Sequence, residues 1–242
     1  MKTDDVLEVE RMGETAARVR PKDAGTLIVL DRSGSVPKVL MGRRSDRHVF
    51  MPGMVVFPGG RVDNADRHAP TADTLDPIVE AKLLLEMRNR PSRSRARAIA
   101  LAAIREAYEE TGILVGRPGR PERAVTAGPW RPFLDHDVLP ALGALRLVAR
   151  AITPPGRHRR FDARFFAVFA DAVAATVEPP HQELIGPAWL TFDEARAHPL
   201  PRITRFVLDD VERRLADDPD LPPDGPVPFH SMRHGRRVSV DL

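Results

Sequence analysis

Residues 105–112, REAYEETG, allow few folded environments. Nothing before the glycine breaks a helix, and at about 100° per residue Glu106, Glu109 and Glu110 fall within one arc of roughly 100°. Ala100, Ile104, Ala107, Tyr108 and Thr111 share the opposite arc. The pattern therefore predicts a helix that buries one stripe and aims three acids outward together. Gly112 ends it, as a glycine at a helix C-terminus does.

Carboxylates at i, i+4 repel one another, so something must compensate. A hard divalent cation does, because Mg²⁺ or Mn²⁺ prefers carboxylate oxygen and joins one or two protein carboxylates to substrate phosphates. Three glutamates on a helix also suit a plain solvated acidic face. Arg105 before them and Thr111-Gly112 after them favour the metal, and Arg105 is placed to orient Glu109 at i+4.

The run Arg105-Glu106-Ala107-Tyr108-Glu109-Glu110-Thr111-Gly112-Ile113 resembles the second half of the Nudix box. That pattern runs Gly, five residues, Glu, seven residues, then R-E-apolar-x-E-E-x-G-apolar. Gly60 in FPGGRVDNAD matches its glycine, 45 positions before Arg105 where the pattern has 14, which implies an insertion of 31 residues. Asp66 stands where the pattern has glutamate. One branch of the family, the coenzyme A diphosphatases of the nudix motif 19 type with their bacterial relatives, carries an insertion inside the box. MPGMVVFPGGRVDNAD, AIREAYEETGILV, ITPP and RRFDARFF are similar to that branch, touching most of residues 24–198. The more general signature of coenzyme A-cleaving Nudix enzymes is partly present: Gly53 and FPGG fit it, and Val49 stands where it has arginine.

The resemblance implies an α/β class fold, a Nudix-type α/β/α sandwich with a mixed sheet, a helical insertion and a C-terminal extension. The length, enough for one well-buried domain and short for two, predicts a single domain over 1–242, in which the resemblance places the core at about 24–198, the insertion at about 67–97 and the extension at about 200–242. The resemblance also implies that the Gly60 loop lies beside the glutamate helix and offers its carbonyl to Mg²⁺ or Mn²⁺ held by Glu106 and Glu110, with Glu109. Glu109 and Glu106 are both candidates for general base. Glu183 is a third, six residues before Trp189 in HQELIGPAWLTFDEA, a spacing that resembles the late Nudix glutamate. The implied activity is hydrolysis of the diphosphate in a nucleoside diphosphate-linked compound, with coenzyme A or acyl-coenzyme A leading. ADP-ribose, dinucleotides and nucleotide sugars are the alternatives, and a binding-only Nudix-like module is the alternative from another class.

Composition bounds the partners. All 242 residues lack cysteine, which excludes disulfides, thiolate catalysis and cysteine zinc sites. No stretch approaches the roughly 18 apolar residues of a membrane span, and the beginning, MKTDDVLEVERMGE, is acidic and polar, so a cytoplasmic protein is expected. Lysine occurs only at positions 2, 22, 38 and 82, and the remaining basic residues are arginine. Its planar fork suits phosphate, although the same usage follows from codon bias. Candidate substrate contacts are Arg44, beside Arg43 and Arg47, then Arg157, Arg160 and Arg164 in the segment TPPGRHRRFDAR, and the run at 93–97. RNRPSRSRARA has no interleaved aromatic residues, so a small-molecule substrate is expected and nucleic acid is not.

Along the chain, 1–22 reads as a loose arm, and 25–30 and 38–41 as a hairpin closed by DRSGSVP. Asp76-Pro77 starts a helix with Val79, Leu83, Leu84 and Met87 on one side, expected as a lid or flank peripheral to the core, followed by a basic connector. Residues 113–129 read as a Gly/Pro loop and 130–147 as partly helical. Strands are expected at 147–152 and 163–170. Helices are expected at 192–198 and at 203–216, the latter burying Ile203, Phe206, Val207, Val211 and Leu215. The segment from 219 onward is expected beyond the core.

Overall fold

The computed structural model describes residues 19–45, 52–181, 183–233 and 236–242. Strands β1 (Lys22–Asp31) and β2 (Lys38–Arg44) form the expected hairpin, Leu30 opposite Val39. Asp31 accepts the Ser33 N–H at 2.8 Å, the short side-chain loop that makes aspartate a turn residue. Strand β3 (Val55–Val56) pairs with β2, and β4 (Gly59–Arg61) pairs with β1, which sets Gly60 opposite Gly25. Helix α1 (Pro77–Leu84) starts on an Asp76 cap, and α2 (Arg93–Thr111) on a Ser92 cap. Gly112 ends α2 at φ 73, its N–H bonded to the Tyr108 carbonyl.

Strand β5 (Ile113–Pro118), helix α3 (Arg131–Leu134), strand β6 (Val138–Pro140), then β7 (Arg146–Ile152) and β8 (Phe161–Phe169) follow. After them come β9 (Val173–Thr176), β10 (Leu184–Thr191), helices α4 (Phe192–Arg196) and α5 (Arg202–Asp217), and β11 (Pro228–Arg233) with β12 (Arg236–Asp241). A mixed sheet runs β10-β2-β1-β8-β7-β11-β12, with β3 on β2 and β4 on β1, and a smaller sheet runs β6-β5-β9. Strand β1 is parallel to β8 and antiparallel to β2. Its side chains alternate between two cores. Leu27 and Val29 pack with the buried face of α2, and Ile28 and Leu30 with Val207, Val211 and Leu215 of α5. The architecture is the expected α/β/α sandwich, and helix packing on both faces accounts for strands that are buried on both sides.

Several expectations change. Residues 113–118 are strand, because Ile113, Leu114 and Val115 are buried and paired with β9. Only Arg131–Leu134 is helical within 130–147. The basic run is the opening of α2, since the Ser92 side chain accepts the Arg95 N–H and starts the helix there. The insertion is not peripheral: Leu75, Val79, Leu83 and Met87 belong to the α2-side core. The last segment extends the sheet beyond β7, with β11 parallel to β7 and Phe229 1% exposed. Phe206 faces outward, stacked on His230 under Arg202. The arm at 1–18, Arg47 and Val49 lie outside the described residues.

Candidate active site

Helix α2 lies against β1 so closely that a Cβ at Gly25 would fall 2.4 Å from the Ile99 carbonyl oxygen. Its alanine-rich middle permits that approach, and its glutamates are carried under cover as a result. The three acids do not point outward as expected, and the alternative of a plain solvated face is not found either. Glu110 is 2% exposed and Glu109 9%, because β4 covers one side of the helix end and the segment around His181 covers the other.

Glu110 accepts the Gly59 N–H at 2.9 Å. Glu106 rests on Gly60, where a Cβ would lie 2.3 Å from the carboxyl carbon, so any larger residue there would displace the Glu106 carboxylate. Arg105 uses all five of its N–H donors: two to Asp66 (2.9 and 3.2 Å), one each to Glu106 (2.9 Å) and Glu109 (3.0 Å), and one to the Arg61 carbonyl (3.0 Å). The expected Arg105–Glu109 orientation is therefore present, as part of a larger clamp. Asp66 is its anchor. It is fully buried, and it also accepts Trp130 Nε1–H at 2.9 Å and its own cap's Asp63 N–H at 2.7 Å. The capped turn at Asn64–Arg67 brings this shorter carboxylate within reach of the arginine. Glu109 is held from the other side by His181, whose N–H donates to the Glu109 carbonyl at 3.0 Å and whose Nδ1 lies 3.7 Å from the carboxylate.

Burial pushes Glu110 up to about 8, with repulsion from Glu106 adding to it and the Gly59 N–H opposing it. Burial likewise pushes Glu106 up to about 7, opposed by Arg105 and assisted by Glu109 and Glu183. Glu109 is raised for the same first reason. Burial disfavours the Arg105 charge, yet its bonds to Asp66 and the charges of Glu106 and Glu109 outweigh this and raise it. One guanidinium thus serves three carboxylates, and the fourth, Glu110, has only the Gly59 N–H and the positive field of Arg44.

That deficit of positive charge is what a hard cation fits. Among the described residues no three His, Asp or Glu groups are arranged to hold a metal ion by themselves. Mg²⁺ requires only one or two protein carboxylates, with water and substrate oxygens completing its shell. Glu106 and Glu110, both set against the Gly59-Gly60 start of β4, are the carboxylates that could fill this role.

The other candidates separate. Glu183 is exposed, its carbonyl accepts the Ser45 N–H at 3.2 Å, and its charge is felt at Glu106 and Glu110. Arg44 sits opposite Leu184 on β2. Arg157 is exposed between β7 and β8. Arg164 is not a substrate-facing residue: it is 1% exposed and paired with Asp23 at 2.8 Å and Asp162 at 3.2 Å. Arg160 bonds the Thr153 and Val19 carbonyls. In the run at 93–97, Arg93 pairs with Glu80, Arg95 with Asp23, and Arg97 donates to the Arg67 and Ala69 carbonyls. These side chains tie the insertion to the sheet at the opposite end of α2, since Arg95 precedes Glu106 by about 16 Å of helix rise. Asp66, Trp130 and His181 complete the site without having been named as members from the sequence. For Asp66 the signal was its place after Gly60 and five intervening residues, where the family pattern has glutamate; for the other two there was none.

No family model matches the chain. It is similar to acyl-coenzyme A diphosphatase NUDT19 of Gallus gallus, 28% identical over 207 residues, which is 65% of this chain and 55% of that protein. The NUDT19 of Homo sapiens is 27% identical over 204 residues, 65% of this chain and 54% of that protein. The chain spans about half the length of these relatives. Among solved structures, a Nudix hydrolase from Alicyclobacillus acidocaldarius aligns with a TM-score of 0.58 at 25% identity, over 80% of this chain and 91% of that one. No helix among the described residues is long and apolar enough to cross a membrane.

Proposed function

We propose that this chain, a member of the Nudix family on its NUDT19-like branch, is a metal-dependent hydrolase that cleaves the diphosphate of a nucleoside diphosphate-linked compound. The supporting observation is the buried cluster in which Arg105 serves Asp66, Glu106 and Glu109 while Glu110 is held on Gly59. Glu106 and Glu110 hold Mg²⁺ or Mn²⁺ in this reading, with Glu109 and the Gly60 carbonyl as further donors. When bound, the cation neutralises the diphosphate and acidifies a water. Glu109, fixed between Arg105 and His181, is our first choice to take the proton of the attacking water, ahead of Glu106 and Glu183. Attack at phosphorus releases two phosphorylated fragments.

Coenzyme A or an acyl-coenzyme A is the proposed substrate, supported by the NUDT19 relatives, which carry that activity in their names. Cleavage of coenzyme A would yield phosphopantetheine and adenosine bisphosphate. Arg157 and Arg44 are the candidates for its remaining phosphate. ADP-ribose, a dinucleotide or a nucleotide sugar is the second reading, favoured by Val49 at the signature's arginine position. A binding-only module is disfavoured, because burying mutually repelling glutamates is costly unless the cluster has a cation to hold. The whole chain is read as one domain, and its cysteine-free composition suits a cytoplasmic location.

The deciding experiment is a panel of coenzyme A, acyl-coenzyme A, NADH, ADP-ribose and nucleotide sugars with Mg²⁺ or Mn²⁺. Coenzyme A against dephospho-coenzyme A then isolates the 3′-phosphate. Equal kcat/KM for the two removes phosphate reading, and no cleavage of either promotes the second reading.

A further inference from the structure

Helix α2 begins, as it ends, beside buried charge, but of the opposite sign. A cavity of about 400 Å³ opens at that end, with Arg20, Arg88, Asn89, Arg95, Arg160 and Ser231 on its wall. Asp162 also lines it, and immediately behind Asp162 lie Arg150 and Arg164. Six guanidiniums therefore gather around two carboxylates, Asp23 and Asp162.

The local bonding does not absorb this charge. Arg164 Nε and Nη2 are buried with no hydrogen-bond partner, as is Ser231 Oγ. Among the described residues the Arg20 and Arg88 side chains have no ion pair or hydrogen bond. Burial holds Arg164 below the usual arginine range, with repulsion from Arg150 adding to it, and burial does the same to Arg160.

The segment carrying Arg88 and Asn89 is also held in an unusual conformation. Glu86, Asn89 and Arg90 have φ of 52°, 58° and 64°, a left-handed backbone that side chains disfavour. Such strain persists only where surrounding structure over-determines it. Here Arg150 donates to the Leu85 and Glu86 carbonyls at 3.1 Å each, and Arg95 donates to the Arg88 and Asn89 carbonyls. Two arginines anchored on Asp23 and Asp162 thus hold four carbonyls of this segment, at 85, 86, 88 and 89, and set Arg88 and Asn89 at the cavity rim.

We propose that this cavity is an anion site for the phosphate group of a small molecule, separate from the catalytic carboxylates. Arg20 and Arg88 supply paired, charge-assisted donors. Asn89 and Ser231 supply neutral donors that fix the oxygens. About 16 Å of helix rise separates Arg95 from Glu106, so occupancy here does not require the diphosphate, its cation or the proposed reaction.

The test is calorimetric titration of the full-length protein, freed of metal by chelation, with inorganic phosphate. Saturable binding is expected, weakening at least tenfold in Arg20→Ala/Arg88→Ala, unchanged in Glu110→Gln and partly kept in Arg88→Lys. Absence of saturable binding in the parent protein overturns the proposal. So does undiminished binding in the double variant, or loss of binding in Glu110→Gln, which would move the anion to the catalytic end. Should the double variant lose its native melting transition, Ser231→Ala reads the same wall: weaker phosphate binding supports the site and unchanged binding overturns it.

Discussion

The two ends of α2 bury charge in opposite ways. At its start, arginines sit between aspartates and main-chain carbonyls, and the result is a fastening: Arg95 and Arg150 hold the insertion against β1 and β8. At its finish, carboxylates outnumber the single arginine that serves them, and the result is a cluster of carboxyls whose affinity for protons is raised, the cluster we propose holds the cation. A buried guanidinium stays charged and reaches several acceptors. A buried carboxylate without enough donors takes up a proton or a metal. Similar burial therefore yields a fastening at one end and carboxyls held above their ordinary pKa at the other.

The largest effect expected is at the fastening end. Deleting 73–93 and closing with a short linker removes Leu75, Val79, Leu83 and Met87 from the core and strips Arg95 and Arg150 of their carbonyl acceptors. Loss of cooperative unfolding in circular dichroism is expected, and a folded product would show that the insertion can be dispensed with after all. Next, Asp66→Ala leaves Arg105 buried without its anchor, which should cost about 3–5 kcal/mol by denaturant titration. A loss under 1 kcal/mol would mean that Asp66 is not the anchor.

At the poised end, Glu110→Gln and Glu106→Gln should each lower turnover by about 100-fold or more while retaining the fold. Unchanged turnover in both removes the assignment of the metal to these residues. Metal-free stability should depend on pH in the sense set by the same carboxylates. Their folded pKa values lie above the ordinary 4.5, so the stability they contribute is complete below about 4.5 and is lost as pH rises through about 7 for Glu106 and about 8 for Glu110. The melting temperature of chelated protein should fall by about 5 °C or more between pH 5 and pH 8.5, and Mg²⁺ should flatten the decline. A flat profile without metal contradicts the buried, repelling cluster. The smallest effect is Arg93→Ala, whose side chain is 83% exposed. It should change stability by under about 0.5 kcal/mol, and a larger loss would make it part of the fastening.

What the sequence discloses is local. The β1–β2 hairpin, the Asp76 start of α1 and the Gly112 stop of α2 each rest on a few adjacent residues whose chemistry forces the backbone. The glutamate face is legible for the same reason. Its burial is not, because the cover comes from Gly59-Gly60 and His181, far along the chain in both directions. The Asp66–Trp130 bond joins residues 64 positions apart across the insertion, and no periodicity encodes it. Strand β5 was masked by composition: glycine and proline at its far end resemble a loop, while the buried Ile113-Leu114-Val115 decide its pairing.

The parallel pairing of β1 with β8 has a kinetic consequence. Lys22 lies opposite Phe161, so the two strands at the middle of the sheet are separated by 139 positions in the chain. The β1–β2 hairpin can close as soon as it is made, yet its other edge stays open until most of the molecule exists. Loop-closure entropy must be overcome before that contact gives anything back. Folding should therefore be slow and late in committing, with an apolar strand edge exposed meanwhile, which makes the interval before β8 docks the chain's main opportunity to aggregate.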